Sequence, residues 1–185
     1  MPLPCFETLS TPRLQLSPVA EAHLDDLLRM NGDDAVTQYL PYATWATRAD
    51  GEAWLARMQA LQATGGAQQR VLQRRADGRV IGSLLLFKHD EGSRRIELGY
   101  ALARDCWGQG WMREAVQAAC AHAFGVLQLR RIEAEVNPDN AASCALLARL
   151  GFTLEGRLRQ RWTAKGRSYD TNLYGLLDSD ARPAA

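Results

Sequence analysis

Apolar residues along the chain recur at two spacings, one typical of strands and one typical of helices. The clearest strand covers residues 96–102, where apolar side chains alternate with small or charged ones. The clearest helix covers residues 112–127, where apolar side chains repeat every three or four positions. Residues 80–87 are nearly all apolar, which predicts a central strand buried on both faces.

Shorter segments complete the predicted order of elements. Further strands are expected at residues 13–16, 69–73, 132–136, 152–161 and 171–177, and further helices at residues 21–30, 48–62 and around 146–150. The second of these helices is expected to bury Trp54, Met58 and Leu61, and Gly151 is expected to end the third. The order β-α-α-β-β-β-α-β-α-β-β predicts a mixed α/β sheet with helices packed on its faces.

Length and charge narrow the class of protein. With 185 residues, of which 46% are hydrophobic, the chain suits one domain over residues 1–185, with a flexible tail at 178–185. Its 22 Lys and Arg residues nearly balance 21 Asp and Glu residues, which gives a net charge of +1. This balance provides no general attraction to nucleic acid or to membranes, so any anionic ligand must be bound locally.

Cysteine and histidine spacings give no sign of a metal site. Cys5, Cys106, Cys120 and Cys144 form no Cys-x-x-Cys pair, and the three histidines are not spaced as metal ligands. A reduced, cytoplasmic protein is therefore expected. The first seven residues show no basic segment followed by an apolar run, and no apolar stretch approaches the roughly 20 residues that cross a bilayer.

The junction between the strand at 96–102 and the long helix carries the candidate chemistry. Gly108 and Gly110 stand just before the helix, where glycine lets backbone amides approach a ligand closely. A helix N-terminus adds its dipole and unpaired amide donors, and the combination suits a phosphate or pyrophosphate. A near-neutral chain could bind an anion here without a basic surface.

Two known phosphate loops do not fit this junction. A dinucleotide fingerprint needs a third glycine at the position of Arg113, and a P-loop needs Lys and then Ser or Thr at the positions of Trp111 and Met112. A tight turn with no ligand explains the two glycines alone equally well. Only the motifs on either side can separate these interpretations.

Those motifs, taken in order, resemble one known family. Residues 94–119 resemble the acetyl-CoA-binding core of the GNAT N-acetyltransferases, and most closely the RimJ/RimL branch, the ribosomal-protein N-terminal acetyltransferases. The likeness spans nearly the whole chain. Its motifs are Thr11-Pro12-Arg13-Leu14, Glu97-Leu98-Gly99-Tyr100, Trp107-Gly108-Gln109-Gly110, Glu114-Ala115, Asn137-Pro138-Asp139-Asn140-Ala141-Ala142-Ser143, Leu150-Gly151-Phe152-Thr153-Leu154-Glu155-Gly156, and Tyr169-Asp170 followed by Leu173-Tyr174.

The resemblance implies a fold and a co-substrate. The fold is the α/β GNAT fold, a mixed, mostly antiparallel sheet whose central parallel strands splay apart after Gly99 and Asn137, with helices on both faces. The co-substrate is acetyl-CoA, with its pantetheine arm in the gap and its pyrophosphate on the amides at the helix start. The implied cofactor-binding residues are Ala101, Leu102, Ala103, Trp107, Gly108, Gln109, Gly110, Trp111, Met112, Asn137, Asn140 and Ser143.

The sequence departs from the family pattern at three positions. Trp107 and Met112 occupy the first and last positions of the glycine motif, where Gln or Arg and Gly or Ala are usual. Trp162 stands in the second-last strand, where some members of the branch have an acidic residue.

Two residues are candidates for catalysis. Glu97, on the strand that leads to the splay, would take a proton from the amine, and Ser143 would face the departing thiolate. Glu97 has a plainer interpretation as a paired strand carboxylate, and Ser143 as a polar residue in the first turn of a helix. Asn140 suits the cap of that helix as well as a cofactor contact. Tyr174 is expected in the core rather than as a proton donor.

The function implied is the transfer of an acetyl group from acetyl-CoA to the N-terminal α-amino group of a protein, by direct attack in a ternary complex. Two alternatives stay open. One is acetylation of a small amine, such as a polyamine, an amino acid or an aminoglycoside. The other is a non-catalytic acyl-CoA-binding module, since a fold does not fix function. Homodimers are common in this branch, so a second copy of the chain is a candidate partner.

Overall fold

Eight strands form one sheet in the computed structural model, which describes residues 8–180. Two segments lie outside the described part. They are the first seven residues, which were considered for a signal peptide and include Cys5, and residues 181–185 of the expected tail. In chain order the strands are β1 Leu9–Ser10, β2 Leu14–Pro18, β3 Ala67–Arg74, β4 Val80–Asp90, β5 Arg95–Leu102, β6 Arg131–Val136, β7 Thr153–Ala164 and β8 Arg167–Leu177. The α-helices are α1 Leu24–Asn31, α2 Asp34–Thr37, α3 Arg48–Ala63, α4 Trp111–Gly125 and α5 Ala141–Arg149.

The sheet has the order β1-β2-β3-β4-β5-β6-β8-β7, and all neighbours are antiparallel except β5 and β6. β4 lies near its centre and is buried along its first five residues, as its apolar run predicts. Helices α1 and α3 pack on β4 and β3, α4 packs on β2, β4 and β6, and α5 packs on β7. The predicted α/β architecture is therefore confirmed.

Each predicted strand and helix has a counterpart in the structure. The differences are two short elements that were not predicted and one residue whose burial was predicted wrongly. The two-residue strand β1 and the four-residue helix α2 were not predicted, because segments of that length carry no measurable period. Leu61 was predicted to be buried, and this is wrong. The buried face of α3 ends at Met58, so Leu61 lies one turn beyond the core and is exposed.

The two central parallel strands separate earlier than expected. β5 pairs with β6 at three positions, which are Arg95 with Arg131, Ile96 with Ile132, and Glu97 with Glu133. Beyond Glu97, β5 continues to pair with β4 as far as Leu102, while β6 continues along β8. The divergence therefore starts two residues before Gly99 on β5, and Asn137 lies beyond the end of β6.

Candidate functional site

A cavity of about 1100 Å³ lies where β5 and β6 diverge. The glycine turn before α4 and the start of α5 line this cavity. It is also lined by aromatic and charged side chains from the segment after α2, from α3 and from the β7–β8 hairpin, which are Tyr39, Tyr42, Trp54, Arg57, Trp162 and Lys165. One continuous space thus connects a candidate anion site with this aromatic and charged wall.

The glycine turn has the backbone geometry that the sequence predicts. Gly108 has a φ of 72° and Gly110 a φ of 78°, in the left-handed region that favours glycine. Gly110 is the N-cap of α4, and the first amide bonded inside the helix belongs to Glu114, which donates to the Gly110 carbonyl at 3.1 Å. The amides of the preceding turn are therefore free of the helical ladder, as is usual at a helix start. They suit an anionic ligand.

Arg13 lies beside this turn although it is distant in sequence. Its guanidinium is stacked 4.1 Å from the centre of the Trp111 ring, and its Nη1 donates to the Gln109 carbonyl at 3.2 Å. Its Nε donates to Glu114 Oε2 at 2.6 Å. Arg13, paired with Glu114, thus places its guanidinium beside the candidate anion site and connects the turn to the start of strand β2. Its motif was noted in the sequence, but no site role was predicted.

The edge of β5 that faces the cavity has no strand beside it beyond Glu97. An amide-rich ligand can pair with such an edge as an added strand does. Two of the predicted contacts are already engaged within the protein. The Leu102 carbonyl accepts the Trp107 indole N–H at 2.8 Å, and the Ala103 amide donates to the Ile81 carbonyl at 2.8 Å.

Helix α5 brings a capped N-terminus to the same cavity. Asn140 is its N-cap, and the Asn140 Oδ1 accepts the Ser143 amide at 3.2 Å, which confirms the predicted cap. The Ser143 hydroxyl lies 2.7 Å from the Tyr100 hydroxyl of β5. Burial raises the pKa of the Tyr100 phenol above its ordinary value, so this group stays protonated at neutral pH. The two hydroxyls connect the diverging elements across the gap.

Glu97 is a buried carboxylate at the fork of the two strands. Its side chain is 6% exposed, and its Oε2 lies 2.7 Å from Lys88 Nζ. Burial raises the pKa of the Glu97 carboxyl above its ordinary value, the Lys88 ammonium opposes this rise, and the neighbouring Glu135 and Glu133 add to it. A carboxylate with a raised pKa is a stronger base than one in water.

Glu135 is a second carboxylate at this point, contributed by β6. Its Oε2 accepts the Trp162 indole N–H at 2.7 Å, and its Oε1 lies 3.3 Å from Arg161 and 3.6 Å from Lys88. Burial favours a raised pKa for Glu135, but hydrogen bonds from Arg161 and Trp162 and the Lys88 charge hold the pKa below its ordinary value. The two carboxylates therefore differ in basicity, Glu97 being the stronger base.

Two hydrogen bonds join separate parts of the cavity wall. The Tyr39 hydroxyl, after α2, donates to the Asp139 carbonyl at 3.1 Å, just before α5. The Lys165 ammonium, at the tip of the β7–β8 hairpin, donates to the Thr37 carbonyl at 2.7 Å. The segment around α2 is thereby attached both to the start of α5 and to the hairpin.

The structure brings most predicted site residues together. Those that line the cavity are Glu97, Ala101, Leu102, Trp107, Gly108, Gly110, Trp111, Met112, Asn137, Asn140 and Ser143. Ala103 and Gln109 do not line it, since Ala103 is buried and the Gln109 side chain bonds to Asp105 and Trp111. Tyr174 is buried in the core, as predicted.

Four residues of the site were missed, which are Arg13, Lys88, Tyr100 and Glu135. Only Glu135 could have been predicted from the alternation along a strand. It shares the polar face of β6 with Glu133, the partner of Glu97, and so belongs on the same side of the sheet. No pattern in the sequence indicates that Lys88 belongs to the site.

Among residues 8–180, no group of three or more His, Cys, Asp or Glu side chains is arranged to hold a metal ion. In the same part of the chain, no helix has both the length and the apolar character needed to cross a membrane.

Comparison with known proteins gives one consistent family. The family model described as "Acetyltransferase (GNAT) domain" matches residues 13–153. The chain is 34% identical to the "Uncharacterized N-acetyltransferase p20" of Bacillus licheniformis over 172 residues, which is 93% of this chain and 97% of that protein.

Two further similarities concern the branch. The chain is 33% identical over 101 residues to the ribosomal-protein-serine acetyltransferase of Escherichia coli, which covers 54% of this chain and 56% of that enzyme. Its fold is similar to that of RimJ from Mycobacterium smegmatis in complex with CoA-disulfide, with a TM-score of 0.80 and 25% identity. That match covers 89% of this chain and 82% of RimJ.

Proposed function

We propose, from the premise that this chain belongs to the GNAT family of N-acetyltransferases, that its acceptor is the N-terminal α-amino group of a protein. Family membership makes the chain an enzyme, so the binding-module alternative has no support. It also supports acetyl-CoA, which the family uses, as the acetyl donor. The observation that carries the proposal is the divergence of β5 and β6, which opens one cavity from an anion site to a buried base.

The donor end of the cavity fits coenzyme A. The pyrophosphate would lie on the amides of the turn at Gly108 and Gly110, with Arg13 beside it, because an anion is favoured at a helix start. The pantetheine arm, which carries two amides, would lie along the free edge of β5. Of the implied contacts, the Leu102 carbonyl and the Ala103 amide would have to exchange an existing partner, whereas the amides of the turn would not.

The reaction needs a base for the amine and a proton for the leaving sulfur. The neutral amine attacks the thioester carbonyl, the carbon–nitrogen bond forms, and the carbon–sulfur bond breaks. Glu97 would accept the proton that the amine loses, directly or through a water. The Tyr100–Ser143 hydroxyl pair would donate a hydrogen bond or a proton to the departing thiolate.

The carboxylates and aromatic residues that line the cavity suit an amine that arrives as a cation. Two carboxylates at the fork attract a cation, and the walls beyond them are aromatic, with Tyr39, Tyr42, Trp54 and Trp162. A protein α-amino group has a pKa of about 7.7–8.0, so a useful fraction is neutral at pH 7. Such an acceptor needs only modest help from a base. The similarity to a ribosomal-protein-serine acetyltransferase points the same way.

An acceptor screen tests the proposal. Release of free CoA thiol from acetyl-CoA would be followed with hexapeptides that begin with serine, with the same peptides blocked at the N-terminus, and with spermine, free amino acids and an aminoglycoside. We expect release with the free peptides and none with the blocked ones. Release with small amines alone would assign the enzyme to small-molecule acetylation, and equal release with blocked peptides would assign it to side-chain amines.

A further inference from the structure

We propose that the Lys88 ammonium occupies the acceptor-amine position in the free enzyme, so that an acceptor reaches Glu97 by displacing it. This inference rests on the proposed function, because it takes Glu97 as the group that meets the acceptor amine. It assigns to Lys88 the role of a positioning residue that selects acceptors presented as cations.

The surroundings of the Lys88 ammonium are those of a bound cation. Its Nζ lies 2.7 Å from Glu97 Oε2 and 3.6 Å from Glu135 Oε1. It also lies 5.3 Å from the centre of the Phe87 ring and 5.6 Å from that of Trp162, within the range of cation–π attraction. Two carboxylates and two aromatic rings thus surround one ammonium group. An acceptor amine that approaches Glu97 meets the same four groups.

Lys88 reaches this position through an irregular backbone. In a regular antiparallel pair, Phe87 shares a face with its partner Glu97, and the next residue points to the opposite face. The pairing of β4 with β5 shifts between Phe87 and Asp90, and Lys88 has a φ of 52°, which is uncommon outside glycine. Bulges of this kind redirect a side chain. Here the bulge turns the Lys88 side chain back over Glu97.

The exchange of Lys88 for a cationic acceptor should change the free energy little. The Lys88 side chain is 45% exposed, whereas those of Glu97 and Glu135 are 6% and 7% exposed. A displaced Lys88 returns to water at little cost, and the incoming ammonium keeps the two buried carboxylates neutralised. An uncharged acceptor would leave Glu97 without the counter-charge that Lys88 supplies, whereas Glu135 would keep that of Arg161. The exchange therefore discriminates against acceptors that lack a cationic group.

The charges that face Glu97 set the expected pH dependence. They are Lys88 on β4, Glu133 and Glu135 on β6, and Arg161 on β7. Lys88 contacts Glu97 directly, and its charge lowers the Glu97 pKa. Loss of Lys88 raises that pKa, so the acid limb of the rate profile moves to higher pH. Lys88→Arg retains the charge and should keep the limb in place.

The first experiment needs no turnover. Thermal unfolding would be measured in n-propylammonium chloride and in sodium chloride of equal ionic strength, for wild type, Lys88→Ala and the double variant Lys88→Ala/Glu97→Gln. We expect n-propylammonium, which imitates the missing side chain, to raise the melting temperature of Lys88→Ala alone. An equal melting temperature of Lys88→Ala in the two salts would overturn the inference.

The second experiment uses the serine peptide as acceptor. Lys88→Met should lower the KM for the peptide by up to about fivefold, the scale of a partly exposed ion pair, and move the acid limb upward, while Lys88→Arg stays at wild-type values. A merely structural ion pair would also move the limb, since the Lys88 charge is lost, but it would leave the KM unchanged. An unchanged KM would therefore overturn the inference. If n-propylammonium stabilises Lys88→Ala but no amine is acetylated, the proposed function fails, and only a cation site at Glu97 and Glu135 stands.

Discussion

Replacement of Glu97 by Gln is the perturbation that most sharply tests the base. The exchange keeps the shape of the side chain and removes its ability to accept a proton. Since Glu97 is buried and its pKa is raised, the wild-type rate should fall as the pH drops through that raised pKa, because the protonated carboxyl is inactive. The pH–rate profile of Glu97→Gln should lack this fall in rate at low pH.

The size of the effect depends on the acceptor. At pH 7 about one α-amino group in ten is neutral, so a base can gain at most about tenfold for a protein N-terminus. A lysine-like amine with a pKa near 10.4 is neutral in roughly one molecule in 2,500, so the loss should approach the 10²–10⁴ typical of general base catalysis. For an α-amino acceptor, raising the pH to about 9 should restore most of the rate of Glu97→Gln.

The assay is a pH–rate profile of kcat/KM for wild type and Glu97→Gln, with thiol release as the signal. Glu133→Gln is the matched control. Glu133 pairs with Glu97 in the strand register, but its carboxylate binds Arg95 at 2.9 Å and Arg131 at 2.8 Å. Identical profiles for wild type and Glu97→Gln would refute a base at this position and leave Glu97 as a structural carboxylate.

Four further substitutions test the donor end of the cavity and the helix cap beside it. Gly110→Asp should weaken CoA binding in calorimetry far more than Gly110→Asn, because both side chains tolerate the left-handed φ and only Asp brings a negative charge. Equal affinities of the two variants would show that the pyrophosphate does not bind at this turn. Ser143→Ala should lower kcat more than it weakens CoA binding, while Asn140→Ala should cost about 0.5–2 kcal/mol of unfolding free energy in melting curves through the lost cap; equal loss of rate and binding for Ser143→Ala would indicate positioning alone. Arg13→Leu should weaken CoA binding and make the affinity less dependent on salt; an unchanged salt dependence would show that Arg13 does not face the phosphates.

The sequence predicts the features of this site that are encoded locally. The turn at Gly108 and Gly110 and the cap at Asn140 depend on the φ preference of glycine and on a hydrogen bond between residues three apart. Each is visible in a few consecutive residues. The motifs around them then identify the family, although no local property of those motifs reveals the acceptor.

The parts that escaped prediction depend on contacts between distant segments. The sequence shows an alternating polar face on β6 but not that Glu135 would meet Trp162 and Lys88, because those residues come from β7 and from a bulge in β4. No glycine or proline marks that bulge. Trp162, which stands where some members of the branch have an acidic residue, donates to the carboxylate of Glu135 on β6. Ala103 and Gln109 remain predictions, as does the pairing of chains into a dimer.

The short ladder between β5 and β6 has a mechanical consequence. Strands β1–β5 on one side and β6–β8 on the other are paired at three positions only. Apart from the ladder of the two-residue edge strand β1, this is the shortest ladder in the sheet, and it lies where the cavity opens. A donor molecule bound to the β5 edge on one side and to α5 on the other would replace the missing pairs. Saturation at 100 times the dissociation constant adds about 2.7 kcal/mol to the unfolding free energy. Hydrogen exchange of the amides beside the cavity should then slow as the donor concentration rises. The local stability of the sheet would therefore depend on the concentration of the enzyme's own substrate.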